Sequence, residues 1–381
     1  MTITADAAIV GLGAMGSAAL YHLASRGVEV LGFDRFAPPH TLGSTHGLSR
    51  IIREAYYEHP VYVPLVRRAY ELWFDLEQRA GRRLFQQTGG LMIGPRDGTL
   101  VGGARRSARE HSLAHEELSA EEVRYRYPGF AVPEEWVALF EPRAGVLDPE
   151  GCVSAHLQLA SRAGAQMHVD EPVTSWRAKD GRVTLETSSG QYDVGRIAVC
   201  AGPWLPSLIG DADSPFWIER QVMHWFDPQS TSELFRADRC PIAMFEYAPD
   251  RFFYTLPDNG RGLKAAIHHE GIRVDPDTVD RSVEPRDTAR VLELLRRYLP
   301  HAAGRHRAAA TCLYTNTPDG HFFIGSPGDG KEVVIVSPCS GHGFKFASAI
   351  GEGVADLLTG VPRPDLEPFG PQRSGISGEQ G

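Results

Sequence analysis

The first 34 residues alternate between apolar runs and one stretch with helical spacing. Apolar residues at 7–10 predict a buried strand, and the run at 28–34, which ends at Asp34, predicts a second one. Between these runs, apolar positions recur every three or four residues, as expected for a helix with one apolar face: Met15, Ala18, Ala19, His22 and Leu23. Gly27 supplies a C-terminal cap. The pattern therefore predicts a strand, a turn, a helix and a second strand, as in a βαβ unit.

The rest of the chain divides into segments with helical or alternating patterns. Helical spacing follows Pro64, with one apolar face formed by Leu65, Ala69, Leu72, Trp73 and Leu76. Residues 85–146 predict short strands around a charged helix, and residues 148–200 predict a helix, a hairpin and a buried strand. Aromatic-rich alternating runs between 215 and 269 are typical of an antiparallel sheet. Residues 331–360 predict a strand, a glycine-rich turn and a helix.

These segments predict an α/β protein with two discontinuous domains. A single core stops growing at roughly 250–300 residues, and this chain has 381. We expect a Rossmann-like dinucleotide domain from residues 1–84, 148–214 and 320–370. A mostly antiparallel sheet, in an α+β second domain, would come from residues 85–147 and 215–319. The polar, glycine-rich tail at residues 371–381 is expected to be flexible.

Composition and charge narrow the class of protein. Hydrophobic residues make up 42% and charged residues 23% of the chain, which is ordinary for a soluble globular enzyme. The formal net charge of −9 disfavours nucleic-acid and membrane partners, because both require an excess of basic residues. The sequence has no basic leader and no long apolar run, so we expect a cytoplasmic protein. Five cysteines without a CxxC motif or a Cys/His cluster predict neither disulfides nor a metal site.

The turn after the first predicted strand carries a GxGxxG motif at Gly11, Gly13 and Gly16. In a dinucleotide-binding unit the first glycine makes the tight turn, the second lets a pyrophosphate approach the backbone, and the third lets the helix pack on the sheet. Asp34 ends the second strand, where a carboxylate can accept hydrogen bonds from a ribose hydroxyl. Motif and context together predict a dinucleotide site without separating NAD from FAD.

Two further runs concentrate polar residues and glycines. The run GSTHGLSRIIR places His46, Ser49, Arg50 and Arg53 within eight residues, directly after the predicted dinucleotide unit. Alone, such a run is more typical of a solvated basic surface with a chance histidine. A second glycine-rich run, PCSGHGFKFAS, occupies residues 338–348. The presence of both runs favours a shared functional site.

Three motifs, in this order after the GxGxxG, resemble the monomeric sarcosine oxidase and N-methyltryptophan oxidase family of flavoproteins: GSTHGLSRIIREAY, CLYTNTPD and SGHGFKFAS. The resemblance covers nearly the whole chain. It implies FAD as the cofactor, bound covalently through a thioether from Cys312 to the 8α carbon of the flavin. A deprotonated cysteine sulfur is nucleophilic enough for such a bond. Without the resemblance, Cys312 fits a small buried core residue, and Cys339 is an alternative nucleophile.

The resemblance also implies how a substrate is bound. Arg53 and Lys345 match the pair that binds the substrate carboxylate, and a planar guanidinium with an ammonium is chemically suited to that anion. Lys264 matches a lysine near flavin N5 that is assigned to oxygen activation. Without the resemblance, an exposed strand lysine would be the simpler interpretation of Lys264.

The remaining matched positions form two sets. The implied catalytic residues are Lys264, His268, Arg50, Tyr254 and Tyr314. The implied cofactor-binding residues are Gly11, Gly13, Ala14, Met15, Gly16, Asp34, Arg35, His40, Ser44, His46, Ser49, Arg50, Cys312, Gly341, Gly343, Phe344 and Lys345. From the residues alone, buried tyrosines and paired arginines are more often structural.

The implied reaction is oxidation of a secondary N-alkyl amino acid by O2 in a monomeric enzyme, giving an imine and hydrogen peroxide. Two alternatives stay open: a flavin dehydrogenase that passes electrons to a protein acceptor, and a non-catalytic flavin- or NAD-binding module. The sequence also departs from the family pattern, because the loop GSHHGDTR reads GSTHGLSR here and the strand YYGFP reads FFYTLP. Sarcosine, N-methyltryptophan, a cyclic imino acid such as pipecolate, or a specialised metabolite therefore all stay open as substrates.

Overall fold

A computed structural model describes residues 3–210, 214–229, 232–328 and 330–373 of the protein. The α-helices in these ranges are α1 (Ala14–Ala24), α2 (Val63–Ala80), α3 (Thr99–Glu110), α4 (Ala120–Arg126), α5 (Pro149–Arg162), α6 (Leu205–Ile209), α7 (Pro285–Tyr298) and α8 (Ala347–Thr359). The strands in the same ranges are β1 (Ile3–Val10), β2 (Val30–Phe33), β3 (Arg50–Ile52), β4 (Phe85–Gln87), β5 (Gly90–Pro95), β6 (Glu116–Ser119), β7 (Trp136–Glu141), β8 (Gly145–Leu147), β9 (Gln166–His168), β10 (Val173–Lys179), β11 (Arg182–Thr187), β12 (Gln191–Val199), β13 (Trp217–Asp227), β14 (Ile242–Ala248), β15 (Arg251–Leu256), β16 (Leu263–His268), β17 (Ile272–Arg273), β18 (Arg305–Asn316), β19 (Phe323–Gly325) and β20 (Val333–Ser337).

The first sheet of the described chain has parallel strands at its centre. Its path runs β10-β11-β12-β1-β2-β9, and β20 pairs with the carboxyl-terminal part of β12 and with β19. The neighbours β9, β2, β1, β12 and β20 run parallel to one another. Their carboxyl ends therefore share one edge of the sheet, where open α/β sheets bind ligands.

Helix α1 packs between this sheet and helices α5 and α8. The sequence predicts a single apolar face, and that prediction is wrong, because contacts on several sides bury most of the helix. Met15 and His22, which were expected on the buried face, are only partly buried. Small residues allow the close approach of α8: an added Cβ at Gly351 would lie 2.4 Å from the Cβ of Ala18.

The second sheet runs in the order β17-β13-β16-β15-β14-β5-β7-β6, with β18 paired to β13. The pair formed by β14 and β5 is parallel, and the other pairs of this sheet are antiparallel. Helices α4 and α7 pack on it around an aromatic core that includes Phe226, Phe245, Phe253 and Tyr298. This arrangement agrees with the mostly antiparallel sheet predicted from the alternating aromatic runs.

A small antiparallel sheet, β3-β8-β4, links the two larger ones. Strand β3 begins at Arg50 and leads into the segment that carries Arg53. Helix α2 follows, and it ends at Gly81, whose φ of 63° lies in the left-handed region favoured by glycine. The helix predicted after Pro64 is therefore present, with its buried residues facing the core.

The predicted α/β class is confirmed. Strands of the first sheet come from three separate segments, 3–33, 166–199 and 323–337, while the proposed domain boundaries stay a prediction. Within the predicted tail, residues 374–381 lie outside the described residues, whereas Arg373 forms two hydrogen bonds with Asp319. No helix in the described ranges is both long and apolar enough to cross a membrane.

Gly351→Ala should reduce the free energy of unfolding by about 1–3 kcal/mol, because the added methyl group forces α8 away from α1. Denaturant unfolding measures this difference. Gly102→Ala in α3 is the matched control, since an added Cβ there meets no atom within 4 Å. Alanine favours a helix over glycine by about 0.5–1 kcal/mol, so the control should be at least as stable as the wild type. Equal destabilisation by both variants would contradict the packing argument.

Candidate functional site

A cavity of about 550 Å³ lies between the carboxyl edge of the first sheet and the second sheet. Its walls include the turn between β1 and α1, strands β13 to β16 and β18, and the loop after β20. The predicted residues that line it are Gly11, Gly13, Ala14, Met15, Asp34, Arg35, His40, Ser44, Ser49, Arg50, Arg53, Tyr254, Lys264, His268, Cys312, Tyr314, Gly341, Gly343, Phe344 and Lys345. Gly16 and His46, also predicted for the site, do not line the cavity.

The turn between β1 and α1 closes one end of the cavity. Asp34 braces this turn, because its carboxylate accepts the N–H of Leu12 at 2.7 Å and the N–H of Phe36 at 2.9 Å. Burial raises the pKa of Asp34. No side chain caps the start of α1, so the N–H groups of Ala14 and Met15 stay available at the cavity wall. A helix N-terminus of this kind suits a phosphate group.

Gly13 indicates whether this end fits a pyrophosphate. The protein atom nearest to an added Cβ, Thr45 Oγ1, is 3.8 Å away, so internal packing does not require glycine here. At Gly16, by contrast, an added Cβ would lie 1.8 Å from the carbonyl oxygen of Gly11. Gly16 therefore serves the packing of the helix on the turn, whereas Gly13 borders open space that a ligand can enter. Both properties fit a bound dinucleotide.

Arg53 lines the end of the cavity beside Tyr56 and Tyr57, and it is buried. Its Nη2 donates to both carboxylate oxygens of Glu58, at 3.0 and 2.8 Å, and its Nη1 donates to the carbonyl oxygen of Ala55 at 2.8 Å. The pKa of Arg53 is raised overall, because the upward effects of Glu58 and Tyr56 outweigh the downward effect of burial. Arg53 Nε has no hydrogen-bond partner among the described residues.

Lys345 lines the same end of the cavity. Its Nζ donates to the carbonyl oxygen of His342 at 2.6 Å and to the hydroxyl of Tyr56 at 3.4 Å. Burial lowers the pKa of Lys345 to about 7, and the charge of Arg53 lowers it as well. The indole of Trp73 donates to the Lys345 carbonyl at 2.8 Å and fixes its backbone. An ammonium has three donors, so one remains for a ligand.

The second sheet contributes neutral polar side chains to the cavity wall. Nδ1 of His268 is 3.3 Å from the hydroxyl of Tyr314. Burial holds the pKa of His268 well below its ordinary value, and His269 lowers it further. Burial also raises the pKa of Tyr254 to about 12 and that of Tyr314 well above its ordinary value. All three cavity-lining side chains are thus neutral at pH 7 and can donate or accept hydrogen bonds.

A buried carboxylate fixes the backbone that follows His268. His269 and Glu270 have φ values of 57° and 91°, a region that residues other than glycine rarely occupy. Glu219 accepts the N–H of Gly271 at 2.6 Å and the side-chain amide of Asn316 at 2.8 Å. The turn that ends β16 is therefore over-determined by its surroundings, as strained backbone near functional sites commonly is.

Lys264 lies on β16 and is buried at the cavity wall. Its Nζ donates to the carbonyl oxygens of Gly47 at 2.9 Å and Ser49 at 2.8 Å. Burial lowers the pKa of Lys264 well below its ordinary value, and the charge of Arg50 lowers it further. The ring of Trp225 is centred 5.5 Å from Nζ. The Lys264 amine is therefore fixed at the cavity wall by two carbonyl oxygens, and its protonation depends on nearby charges.

Three cysteines line the cavity: Cys200, whose pKa burial raises to about 12, and Cys312 and Cys339, which have different partners. Cys312 Sγ lies 3.9 Å from Nη2 of Arg50 and 3.5 Å from the carbonyl oxygen of Ser44. Cys339 Sγ instead accepts the N–H of Thr315 at 3.4 Å, and burial raises the pKa of Cys339. Cys312 is thus the cavity thiol beside a guanidinium, while the Cys339 sulfur is engaged by the backbone.

His46 is buried outside the cavity wall. Its Nε2 has no hydrogen-bond partner among the described residues. Burial lowers the pKa of His46 to about 3, and Arg50 and Lys264 lower it as well. The imidazole is therefore neutral at pH 7.

Sequence reasoning missed several cavity residues, among them Glu58, Trp204, Gln221, Met223, Met244 and His342. Two of them carried a usable signal: Glu58 follows Arg53 by five residues, and His342 lies inside the SGHGF motif. His342 also meets the Tyr56 hydroxyl, which lies 2.6 Å from its Nδ1. The others come from strands or loops, where alternation can indicate a face but not a function.

Lysine is rare in this protein. The sequence has four lysines, Lys179, Lys264, Lys331 and Lys345, among 39 residues of Lys and Arg. Two of the four line the cavity, and the other two are exposed. Half of the lysines are therefore at the candidate site, where a compact ammonium can change its protonation and a guanidinium cannot.

Comparison with known proteins agrees with this geometry. The FAD dependent oxidoreductase family matches residues 6–357. The monomeric sarcosine oxidase of Streptomyces avermitilis is 42% identical over 378 residues, covering 98% of each chain. The N-methyl-L-tryptophan oxidase of Yersinia pestis is 34% identical over 368 residues, covering 96% of this chain and 98% of its own.

Solved structures support the fold. NikD, described as an unusual amino acid oxidase essential for nikkomycin biosynthesis, superimposes with a TM-score of 0.84 at 24% identity, covering 98% of this chain and 99% of its own. L-proline dehydrogenase from P. horikoshii gives a TM-score of 0.82 at 21% identity and covers 96% of each chain. Because the family match spans residues 6–357 and the relatives align over nearly the whole chain, the chain belongs to the FAD dependent oxidoreductase family.

Proposed function

We propose that this protein oxidises secondary N-alkyl amino acids, with O2 as the final electron acceptor. The amine becomes an imine, which water hydrolyses to an aldehyde and an amino acid, and O2 is reduced to hydrogen peroxide. The observation that carries the proposal is that two buried cations, Arg53 and Lys345, line the same cavity as the β1–α1 turn. The names of the relatives, sarcosine oxidase and N-methyl-L-tryptophan oxidase, support this substrate class.

The redox chemistry belongs to FAD, which when bound accepts a hydride equivalent from the carbon beside the substrate nitrogen and returns the electrons to O2. The chain supplies groups suited to hold it. The uncapped N–H groups of α1 would bind the pyrophosphate across Gly13, and the carboxylate of Asp34 would accept the ribose hydroxyls. Arg50 and Phe344, which also line the cavity, would contact the ring system.

Arg53 and Lys345 would bind the substrate carboxylate from two sides. Lys345 has one donor free, and Arg53 has a buried Nε without a partner among the described residues. Nη1 of Arg53 is bound to the Ala55 carbonyl oxygen and Nη2 is paired with Glu58, so a substrate carboxylate would compete with this glutamate for the same cation. Two positive groups converging on one anion would fix the amino acid in a single orientation.

His268, Tyr254 and Tyr314 would surround the reacting amine. Since all three are neutral at pH 7, none of them repels or stabilises a positive nitrogen strongly. Loss of a hydride equivalent requires the neutral amine, whose lone pair assists the departure of the hydride. A polar but uncharged wall therefore favours the reactive form of the substrate over its ammonium form.

Lys264 would act on oxygen. Reduction of O2 first places negative charge on the oxygen molecule, and Lys264 in its protonated form would stabilise that charge. The two carbonyl oxygens that bind Nζ restrict its movement, so little reorganisation is needed during the reaction.

We also propose that the enzyme acts as a monomer in the cytoplasm. The four monomeric sarcosine oxidases among the relatives support the first part through their names. No cysteine among the described residues forms a disulfide, and a reducing compartment is consistent with that state.

The decisive test measures hydrogen peroxide and flavin reduction together. With a panel of N-methyl and cyclic amino acids, the purified holoenzyme should bleach its flavin without air and form about one peroxide per substrate in air. If the flavin is reduced but peroxide stays negligible and an artificial acceptor restores turnover, the protein is a dehydrogenase. If no secondary amino acid bleaches the flavin, the proposed function is wrong.

Binding of propionate, a carboxylate without an amine, should weaken as pH rises above about 7. Raising the pH removes the proton from Lys345, so one of the two cations is lost. The affinity for propionate should then fall by up to about tenfold for each pH unit. A titration followed by the flavin absorbance of the holoenzyme measures the dissociation constant at each pH.

Lys345→Met should bind propionate weakly and without this pH dependence. Lys179→Met, which changes an exposed lysine of β10, is the matched control and should behave like the wild type. Persistence of the pH dependence in Lys345→Met would assign it to another group, such as Glu141, whose pKa burial raises to about 7.

We further propose that Cys312 is bonded to the flavin. Such a bond would replace the S–H bond of Cys312 and a C–H bond of the 8α methyl group, and O2 would be the oxidant that takes up the two electrons and two protons. The neighbouring Arg50 guanidinium offers positive charge while the sulfur attacks. The sulfur of Cys339 already accepts the N–H of Thr315, and this favours Cys312 over Cys339 as the attachment site.

Acid precipitation distinguishes these cysteines. Wild-type protein and Cys339→Ser should retain yellow flavin in the pellet, whereas Cys312→Ser should release all of its FAD into the supernatant, because only Cys312 provides the thioether. Absorbance at flavin wavelengths measures both fractions. Release by the wild type would mean that the cofactor is not covalently bound, and release by Cys339→Ser alone would make Cys339 the attachment site.

A further inference from the structure

The backbone at residues 47–49 forms an unusual turn beside the cavity. Ser49 N–H donates to the carbonyl oxygen of Gly47 at 2.8 Å, so the hydrogen bond closes over the single residue Leu48. The φ of Leu48 is 68°. A three-residue turn with positive φ at its centre is rare and strained for a residue with a side chain. We call residues 47–49 the Leu48 turn.

The two sides of the Leu48 turn bind opposite charges. On its carbonyl side, Lys264 Nζ donates to the oxygens of Gly47 and Ser49. On its N–H side, the carboxylate of Glu150 accepts the N–H of Gly47 at 2.7 Å and the N–H of Leu48 at 3.1 Å. The peptide group between Gly47 and Leu48 therefore lies between an anion and a cation, because its N–H donates to Glu150 and its carbonyl oxygen accepts from Lys264.

Glu150 itself does not line the cavity. It is the second residue of α5, and the N-cap of that helix is already provided by Asp148, whose carboxylate accepts the N–H of Gly151 at 2.8 Å. The Glu150 side chain is therefore not needed to cap α5, and its carboxylate can bind the Leu48 turn instead. Its contacts explain how a leucine keeps a conformation that otherwise favours glycine.

We propose that Glu150 is a positioning residue for Lys264: its carboxylate fixes the Leu48 turn, whose two carbonyl oxygens hold the lysine amine at the cavity wall. The consequence for oxygen reduction rests on the function proposed above, but the structural coupling does not. In support, the negative charge of Glu150 raises the pKa of Lys264, opposing the effects of burial and of Arg50. Cys312 raises that pKa as well, and nearby His46 is neutral.

The scarcity of lysine allows a direct measurement. With [ε-¹³C]lysine, the holoenzyme has four labelled side chains, and Lys264→Met assigns the signal of Lys264. The pH titration of that signal should move to lower pH in Glu150→Gln, because the variant loses a negative charge and the hold on the turn. An unchanged titration would overturn the proposal, whatever the enzyme oxidises.

Flavin reoxidation gives the second measurement. Photoreduction without air, followed by mixing with O2, makes the rate independent of any substrate. Glu150→Gln should slow this step about tenfold and Lys264→Met about a hundredfold or more. In the double variant, Glu150→Gln should add nothing to the effect of Lys264→Met, because it acts through that lysine. The same tenfold effect in both backgrounds would overturn the proposal.

Two further variants separate positioning from stability. Glu121→Gln changes the corresponding second residue of α4, which is exposed, and should leave the reoxidation rate unchanged. Glu150→Asp keeps the charge with a shorter reach, so it should slow reoxidation less than Glu150→Gln does; a larger effect would contradict the role of charge. Should Glu150→Gln fold poorly, the Lys264 titration of Glu150→Asp still tests the coupling. A wild type that reoxidises rapidly but oxidises no secondary amino acid would refute the proposed function without affecting this inference.

Discussion

Burial of positive charge is the constraint on which this site depends. Arg53, Lys264 and Lys345 are all buried, and all three line one cavity. Removing a charge from water is costly unless protein groups replace the lost hydration. Glu58 partners Arg53, while each lysine amine is bound by backbone carbonyl oxygens. The loops around the cavity must therefore turn their carbonyl groups inward.

That requirement explains the positive φ of Leu48, one of several residues near the cavity whose backbone departs from common conformations. Leu48 and Ser340 have positive φ values of 68° and 43°, and Ser340 lies directly before Gly341, which lines the cavity. Leu48 lies between the two carbonyl groups that bind Lys264. His269 has positive φ as well and follows His268. Each of these turns is held by a polar partner, so the conformational cost at the site is offset by hydrogen bonds made outside it.

The parts of the protein that could be predicted from sequence are those whose causes are local. The dinucleotide unit was recognisable because strand, glycine turn, helix and Asp34 all lie within 34 consecutive residues. The single apolar face assigned to α1 failed because Gly351, more than 300 residues away, brings a second helix against it. Periodicity reports how one helix meets one neighbour, and it carries no information about a neighbour contributed by the other end of the chain.

The candidate site itself lay mostly beyond local reasoning. Arg53 and Lys345 are nearly 300 positions apart, and their meeting was an expectation from family resemblance rather than from spacing. Glu150 gave no signal at all, because an acidic residue in the first turn of a helix is ordinary. Its importance depends on a backbone turn one hundred residues earlier in the chain, which no side-chain pattern encodes. Burial then changes the chemistry of each cation after the fold has assembled them.

The choice between lysine and arginine at the cavity follows from the same constraint. A guanidinium stays charged when buried, so Arg53 needs a permanent counter-ion and has Glu58. An ammonium can release its proton instead, and burial brings the pKa of Lys345 to about 7. A chain that uses arginine for nearly all its cations nevertheless has lysine at both positions where the proposed reaction needs a compact cation with adjustable charge. The protein can therefore set the charge of its cavity through the neighbours of these two amines, whereas the charge of Arg53 is permanent and is balanced by Glu58.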